Sequence, residues 1–180
     1  MMSETARRAL PAESHASVEL TEITNASRDL VANMGEIVWS LNPENRTLRD
    51  LLSFLREQLN KLLEYSGIEY KISFEAQADG ELNHTQLRSI LLVTKEIVHN
   101  AVKHSKATKI IVNCHTEKNQ IKFSISDDGK GIDLSKPTHG NGMRNIRQRI
   151  DEVGGLLAIQ TEVGKGALFT YSVPFYFAPI

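Results

Sequence analysis

Lys95-Glu-Ile-Val-His-Asn-Ala-Val-Lys-His104 and Ser126-Asp-Asp-Gly-Lys-Gly-Ile132 are the two stretches whose reading decides the fold of this chain. The first sits inside an apolar pattern of helical period over 82–103. The second closes a strand pattern in which Ile121, Phe123 and Ile125 share one face. Between them, Ile110, Val112 and Cys114 mark the face of another strand. Two adjacent strands thus follow a long amphipathic helix, and both quoted stretches carry polar groups where such elements end. Beyond them, 129–141 is rich in Gly, Lys, Pro, Thr and His and reads as a mobile loop.

Working outward, Thr47-Leu-Arg-Asp50 has the form of a capping box and opens a helix. Leu48, Leu51, Leu52, Leu55, Leu59, Leu62 and Leu63 lie on one face of it, a core stripe that Ser66-Gly67 ends. The segment 68–74 alternates as a strand. Downstream, 143–153 is helical and stops at Gly154-Gly155, and 156–161 with 167–173 form a hairpin around Gly164-Lys-Gly166. There are no internal repeats. The order helix, strand, helix, two strands, lid, helix, hairpin predicts an α+β fold, a two-layer α/β sandwich with helices on one face of a mixed sheet.

Ahead of it, residues 1–12 are polar, contain Pro11 and are expected to fray. From 13 to 41 one helix is expected. Leu20, Ile23, Ser27, Leu30, Met34, Ile37 and Leu41 alternate spacings of three and four, the period of a coiled-coil seam. Val31, Val38 and Trp39 widen the stripe, so more than two helices can meet there; the plainer alternative is one amphipathic helix packed on its own domain. Asn42-Pro43 stops the helix, because proline disfavours helical geometry in the residue before it.

Composition narrows the class. The chain has 180 residues, 41% hydrophobic and 24% charged, as in soluble globular proteins. A formal net charge of −1, with no long run of Lys or Arg, argues against general nucleic-acid binding. The single Cys114 excludes an internal disulfide and fits a reducing compartment. No apolar run reaches the roughly 18 residues of a membrane span, and no signal-peptide core follows Met1. A cytoplasmic segment is expected, with any membrane anchor elsewhere in the full-length protein.

Glu96, Asn100 and Lys103 are spaced by four and three, on one helix surface. The Asn100 amide oxygen is a neutral hard ligand suited to Mg²⁺, Lys103 can neutralise phosphate, and Glu96 can hold a metal-bound water or act as a base. A solvated face with a Glu–Lys relay would give the same spacing. Asp127, at a strand end beside glycines, can accept a hydrogen bond from adenine's exocyclic amine, where guanine presents a carbonyl. Gly129 and Gly131 leave room for a flat ring, although Asp-Asp-Gly is also an ordinary strand-to-turn sequence. Gly140-Asn-Gly-Met143 precedes a helix, whose free amides and dipole favour phosphate. Each piece alone is weak; the three in order point to an ATP site.

Glu-x-x-x-Asn-x-x-Lys-His, Asp-Asp-Gly-Lys-Gly-Ile, Gly-Asn-Gly-Met-Arg-Asn-Ile-x-x-Arg and Gly-Lys-Gly-Ala-x-Phe resemble the successive boxes of the histidine-kinase ATPase domain over 66–174. That domain has the Bergerat fold, shared with DNA gyrase B and MutL. Glu96, with Lys103-His104, is similar to the short-lid sensor kinases that signal to LuxR-type or LytR-type regulators. The resemblance implies ATP and Mg²⁺ as cofactors, Glu96 and Asn100 as catalytic residues and Asn100 as the metal ligand. It implies nucleotide contacts from Asn100, Lys103, His104, Asp127, Gly129, Gly131 and Ile132. It adds Gly140, Asn141, Gly142 and Met143, and then Gly164, Gly166 and Thr170. Asn33-Met-Gly-Glu-Ile-Val-Trp-Ser-Leu-Asn-Pro-Glu44 is similar to the end of the second dimerisation helix of such kinases. This implies a dimerisation remnant over 1–45, a catalytic domain over 46–180, a homodimer through the N-terminal helix and a response regulator as partner.

One departure stands out. The family's phosphoacceptor is a His, usually followed by Asp or Glu, on the first dimerisation helix, and this chain shows no such helix. His15 is followed by Ala-Ser, and His99 and His104 belong to the nucleotide-site helix. The expectation is therefore a catalytic domain that donates the γ-phosphoryl of ATP to a His supplied elsewhere, for relay to a response-regulator Asp. The alternatives are an anti-sigma-factor-type serine kinase of the same fold and a non-catalytic dimerisation module.

Overall fold

Thr47 starts the first helix, α1 (Leu48–Leu63), through a reciprocal cap. Its Oγ1 accepts the Asp50 amide at 3.1 Å, and Asp50 Oδ2 accepts the Thr47 amide at 3.1 Å. Two of the backbone donors that a helix start leaves over are thereby satisfied. Leu48, Leu51, Leu55 and Leu59 are fully buried, so the leucine stripe is the core face of α1. The same device opens α2 (His84–Asn100), where Asn83 and Gln86 exchange amide bonds at 2.9 and 3.1 Å.

The computed structural model describes residues 34–35, 38–42, 44–76, 80–133 and 141–175. The chain divides into two compact units, Met1–Asn42 and Pro43–Ile180. In the first, 34–35 and 38–41 are helical, with Met34, Val38 and Leu41 exposed. The other seam positions, Leu20, Ile23, Ser27, Leu30 and Ile37, lie outside the described residues. No described helix is long and apolar enough to cross a membrane.

The second unit carries a sheet of β1 (Glu69–Glu75), β2 (Lys109–Glu117), β3 (Gln120–Asp127), β4 (Leu156–Thr161) and β5 (Ala167–Pro174), in the order β1-β2-β3-β5-β4. β1 runs parallel to β2 and the other pairs are antiparallel, which makes the sheet mixed, as the sequence predicts. Alternation sorts the side chains. Ile110, Val112, Cys114, Ile121, Phe123, Ile125, Phe169, Tyr171 and Val173 are buried beneath the helices, whereas their neighbours are half-exposed. α2 packs against α1, β3 and α3 (Gly142–Glu152), so the helices cover this one face.

Within that core, Phe123 stacks on Tyr171 with ring centroids 4.9 Å apart. The buried Tyr171 hydroxyl meets Thr94 Oγ1 at 2.6 Å, and Thr94 donates to the Ile90 carbonyl at 2.7 Å. Burial pushes the Cys114 thiol up to about 12, so it stays a neutral packed side chain.

α2 does not continue to Lys103 as a regular helix. From Ala101 to Ser105 the backbone widens into a π turn, ended by Lys106 in the left-handed region at φ 56°. Ser105 Oγ donates to the Ala101 carbonyl at 2.6 Å and accepts the Ala107 amide at 3.0 Å, closing the turn.

Candidate functional site

A cavity of about 700 Å³ opens where α2 ends, β3 ends and α3 begins. Glu96, Asn100 and His104 line it from the helix, Asp127 from the strand end, Gly131 and Ile132 from the loop that follows, and Gly142 and Met143 from the start of α3. Segments distant in sequence thus meet in one wall.

The π turn that follows α2 carries two basic residues, Lys103 and His104. Its i→i+5 bonding adds about one residue to the turn. His104, four residues beyond Asn100, lines the cavity, while Lys103 is not part of the lining. The three-residue spacing from Asn100 to Lys103 assumed a regular α-helix, and the wider turn corrects it.

Asn100 Nδ2 donates to Glu96 Oε1 at 3.2 Å. That bond turns the amide nitrogen toward Glu96 and leaves Oδ1 as the end able to meet a cation. A Cβ on Gly142 would come within 2.5 Å of Glu96 Oε1, so the start of α3 is seated directly against this acid. Asn141, the residue before α3, makes no side-chain cap bond. Its exposed side chain is absent from the lining, while the first-turn amides of α3 remain a site for anions.

The adjacent acids Asp127 and Asp128 have opposite surroundings. Asp128 Oδ1 accepts the amides of Thr108 and Lys109, each at 2.8 Å, and Oδ2 accepts the Thr108 hydroxyl at 2.6 Å. These bonds, the Thr108 hydroxyl foremost, hold its carboxyl below the usual aspartate range. Asp128 is a structural pin at the start of β2. Asp127 faces the cavity, and burial raises its carboxyl above the usual range, partly offset by the Gly129 amide. That amide donates to Oδ1 at 2.9 Å, and among the described residues Oδ2 receives no donor.

The glycines serve different ends. A Cβ on Gly129 would overlap the Ser105 carbonyl and lie 2.7 Å from Ser105 Cβ, so its smallness seats the loop on the π turn and gives a ring no space. Gly131 lines the cavity at φ +69°. Gly166, at φ +78°, presses on the Asp127 backbone, and a Cβ there would overlap the Asp127 carbonyl. Gly164 is exposed in open space at the hairpin turn, away from the lining. Thr170 pairs with Ser124 and Ala158 on the face opposite Phe169 and Tyr171. Strand alternation points it away from the cavity. Gly140 lies outside the described residues.

Ser105 and Val163 also line the cavity and were not singled out by the sequence, while Lys130, Ala167 and Phe169, which belong to the quoted motifs but were given no contact of their own, line it as well. Phe169 and Ala167 share a face of β5 by alternation, so the strand pattern carried a signal for both. Val163 had none: it is an exposed turn residue brought in only by tertiary structure.

A strand-end carboxylate, a helix amide and an open helix start gathered on the covered side of a mixed sheet are the arrangement of an ATP-binding sandwich of the Bergerat type. Residues 85–176, just over half of the chain, match the family described as Histidine kinase-, DNA gyrase B-, and HSP90-like ATPase, and the chain belongs to that family. It is 29% identical over 133 residues to the signal transduction histidine-protein kinase/phosphatase DegS of Bacillus subtilis, covering 69% of this chain and 34% of that protein. It is 30% identical over 156 residues to the nitrate/nitrite sensor protein NarQ of Escherichia coli, covering 77% of this chain and 27% of that protein. The chain therefore spans about a third or less of these curated relatives. In fold it is similar to the histidine kinase domain of the Erythrobacter litoralis blue-light activated histidine kinase. The TM-score is 0.61 at 18% identity, over 96% of this chain and 90% of that one.

Proposed function

We propose that the chain is the ATP-binding catalytic segment of a two-component sensor histidine kinase, with the cavity between α2, β3 and α3 as its nucleotide site. The observation that carries this reading is the convergence of Glu96, Asn100, Asp127 and Gly142 on one cavity. Asp127 Oδ2 is placed to accept adenine's exocyclic amine, and Gly131 and Ile132 flank the base. His104 and the first amides of α3 face the phosphates, and Lys130 adds a positive charge at the same rim. Residues 1–45 serve as the end of a dimerisation helix and 46–180 as the catalytic domain. The segment is cytoplasmic, works as a homodimer and donates the γ-phosphoryl of ATP to a His, for relay to an Asp of a LuxR-type or LytR-type response regulator. Its similarity to DegS, a signal transduction histidine-protein kinase/phosphatase, and to NarQ, a nitrate/nitrite sensor protein, supports this reading over a serine kinase of the same fold.

Phosphoryl transfer asks mainly for position and charge neutralisation. The acceptor is a His imidazole outside the residues that line the cavity. Its unprotonated ring nitrogen forms the new bond to the γ-phosphorus, the bond to the bridging oxygen breaks, ADP leaves, and the proton on the other ring nitrogen goes to a base. Glu96 is the acid placed for that proton, and Asn100 orients it through the 3.2 Å bond. Mg²⁺ fits the Asn100 amide oxygen, a hard neutral donor, and when bound supplies neutralisation of the phosphate oxygens.

Asn100→Ala tests the metal assignment. Loss of ATP affinity should be at least fivefold larger with Mg²⁺ than with EDTA, read by calorimetric titration of the full chain. Equal losses under the two conditions would leave Asn100 with a structural role only.

A further inference from the structure

We infer that Thr161 is a positioning residue for the base end of the nucleotide cavity, acting through one hydroxyl that ties Ile132 to Gly166; this rests on the nucleotide reading above. Thr161 is the last residue of β4, paired with Ala167 across the hairpin. Its Oγ1 accepts the Ile132 amide at 2.8 Å and donates to the Gly166 carbonyl at 3.0 Å. Its donor and one of its acceptor positions are thus engaged by backbone, and Thr161 is not part of the cavity lining.

Three stretches interlock around it. The Gly164 amide donates to the Lys130 carbonyl at 2.8 Å. A Cβ on Gly131 would overlap the Glu162 carbonyl, and one on Gly166 would overlap that of Asp127. The loop after β3 and the β4–β5 turn are therefore in backbone contact. Both give residues to the cavity, Gly131 and Ile132 from the loop beside Asp127 at the end of β3, and Val163 and Ala167 from the turn and strand. On its other side the loop is held by the Lys130 amide, which donates to the Ser105 carbonyl at 2.8 Å. That contact precedes Gly131, and Ile132 beyond it is fixed by Thr161. Remove the hydroxyl and a backbone donor and a backbone acceptor lose their partner together. The wall formed by Gly131 and Ile132 is then free to move away from Asp127.

The test compares Thr161→Val with Thr161→Ser in the full chain. Valine keeps the shape and loses both bonds; serine keeps the hydroxyl and loses a methyl. ATP affinity by calorimetry should fall roughly tenfold in the valine variant, the effect of one or two net hydrogen bonds, and stay within about twofold in the serine variant. Exchange of the Ile132 amide proton, followed by NMR, should quicken in the valine variant and stay slow in the serine variant. A packing role would give the reverse order, since serine leaves the space that valine fills. Should the valine variant fail to fold, Thr161→Ala takes its place against Thr161→Ser, with the same order expected. If the unmutated chain binds ATP and the valine variant binds it equally well, the inference is wrong and the nucleotide reading stands. If the unmutated chain binds no ATP, the nucleotide reading itself is lost.

Discussion

Glu96→Gln should slow phosphoryl transfer to a separately supplied acceptor segment by about a hundredfold or more while changing ATP affinity less than about threefold. The acceptor is a dimerisation segment carrying the His of a related kinase, and the readout is labelled phosphate transferred from ATP. Glutamine preserves the acceptor for the Asn100 amide, which now bonds Glu96 Oε1 at 3.2 Å, so the amide keeps its direction. Only the charge and the ability to take a proton disappear. Positioned general bases are worth about 10² to 10⁴ in rate, which sets the expected size. The effect belongs to the transition state, so binding should hardly respond. A transfer rate within about threefold of the unmutated chain would remove Glu96 from the chemistry.

Asp127→Asn should weaken ATP binding about ten- to a hundredfold while leaving the empty fold at least as stable. A hydrogen bond to a charged group is worth roughly 1.5–3 kcal/mol, and an asparagine amide can turn a donor toward adenine's own donor. Stability moves the other way because of burial. The folded carboxyl titrates above the usual aspartate range, so the folded state binds protons more readily than the unfolded one. By linkage, stability falls as pH rises from the ordinary aspartate range through the raised value, and at neutral pH the charged Asp127 costs stability. Asparagine removes that cost and can still accept the Gly129 amide, now 2.9 Å from Oδ1. ATP affinity of the unmutated chain should also decline as pH falls through the same range. Denaturant unfolding of both proteins at pH 7 checks one half and calorimetry the other. A variant that is less stable yet binds ATP normally would reverse both assignments.

The strands and helices could be read from the sequence because their signals are local. Period-two alternation in Ile110, Val112, Cys114 and in Ile121, Phe123, Ile125 reports a half-buried sheet directly. The leucines of α1 and the reciprocal cap of Thr47 and Asp50 report a helix just as directly. The site was less open to this reading. Asn100, Asp127, Gly131 and Gly142 follow from motif and element ends, and they meet in the cavity. Lys103 does not, because a π turn leaves no mark in residue periodicity and carries Lys103 further round the helix from Asn100. Gly129 and Gly164 resemble ligand glycines in sequence but answer to the π turn and to the hairpin turn. Thr170 was implied by the family resemblance, although alternation with Phe169 sets it on the far face. Thr161 and Val163 depend on contacts between the β4–β5 turn and the loop after β3, about thirty residues apart, which no local pattern encodes.

The most direct test is an NMR titration of the isotope-labelled full chain with Mg-ATP, followed at backbone amides. Saturable shifts should concentrate at Asn100, at Asp127 to Ile132 and at Gly142 and Met143, with GTP at the same concentrations producing far smaller changes. Saturation with shifts elsewhere on the sheet, or no saturable change at all, would contradict an ATP site between α2, β3 and α3.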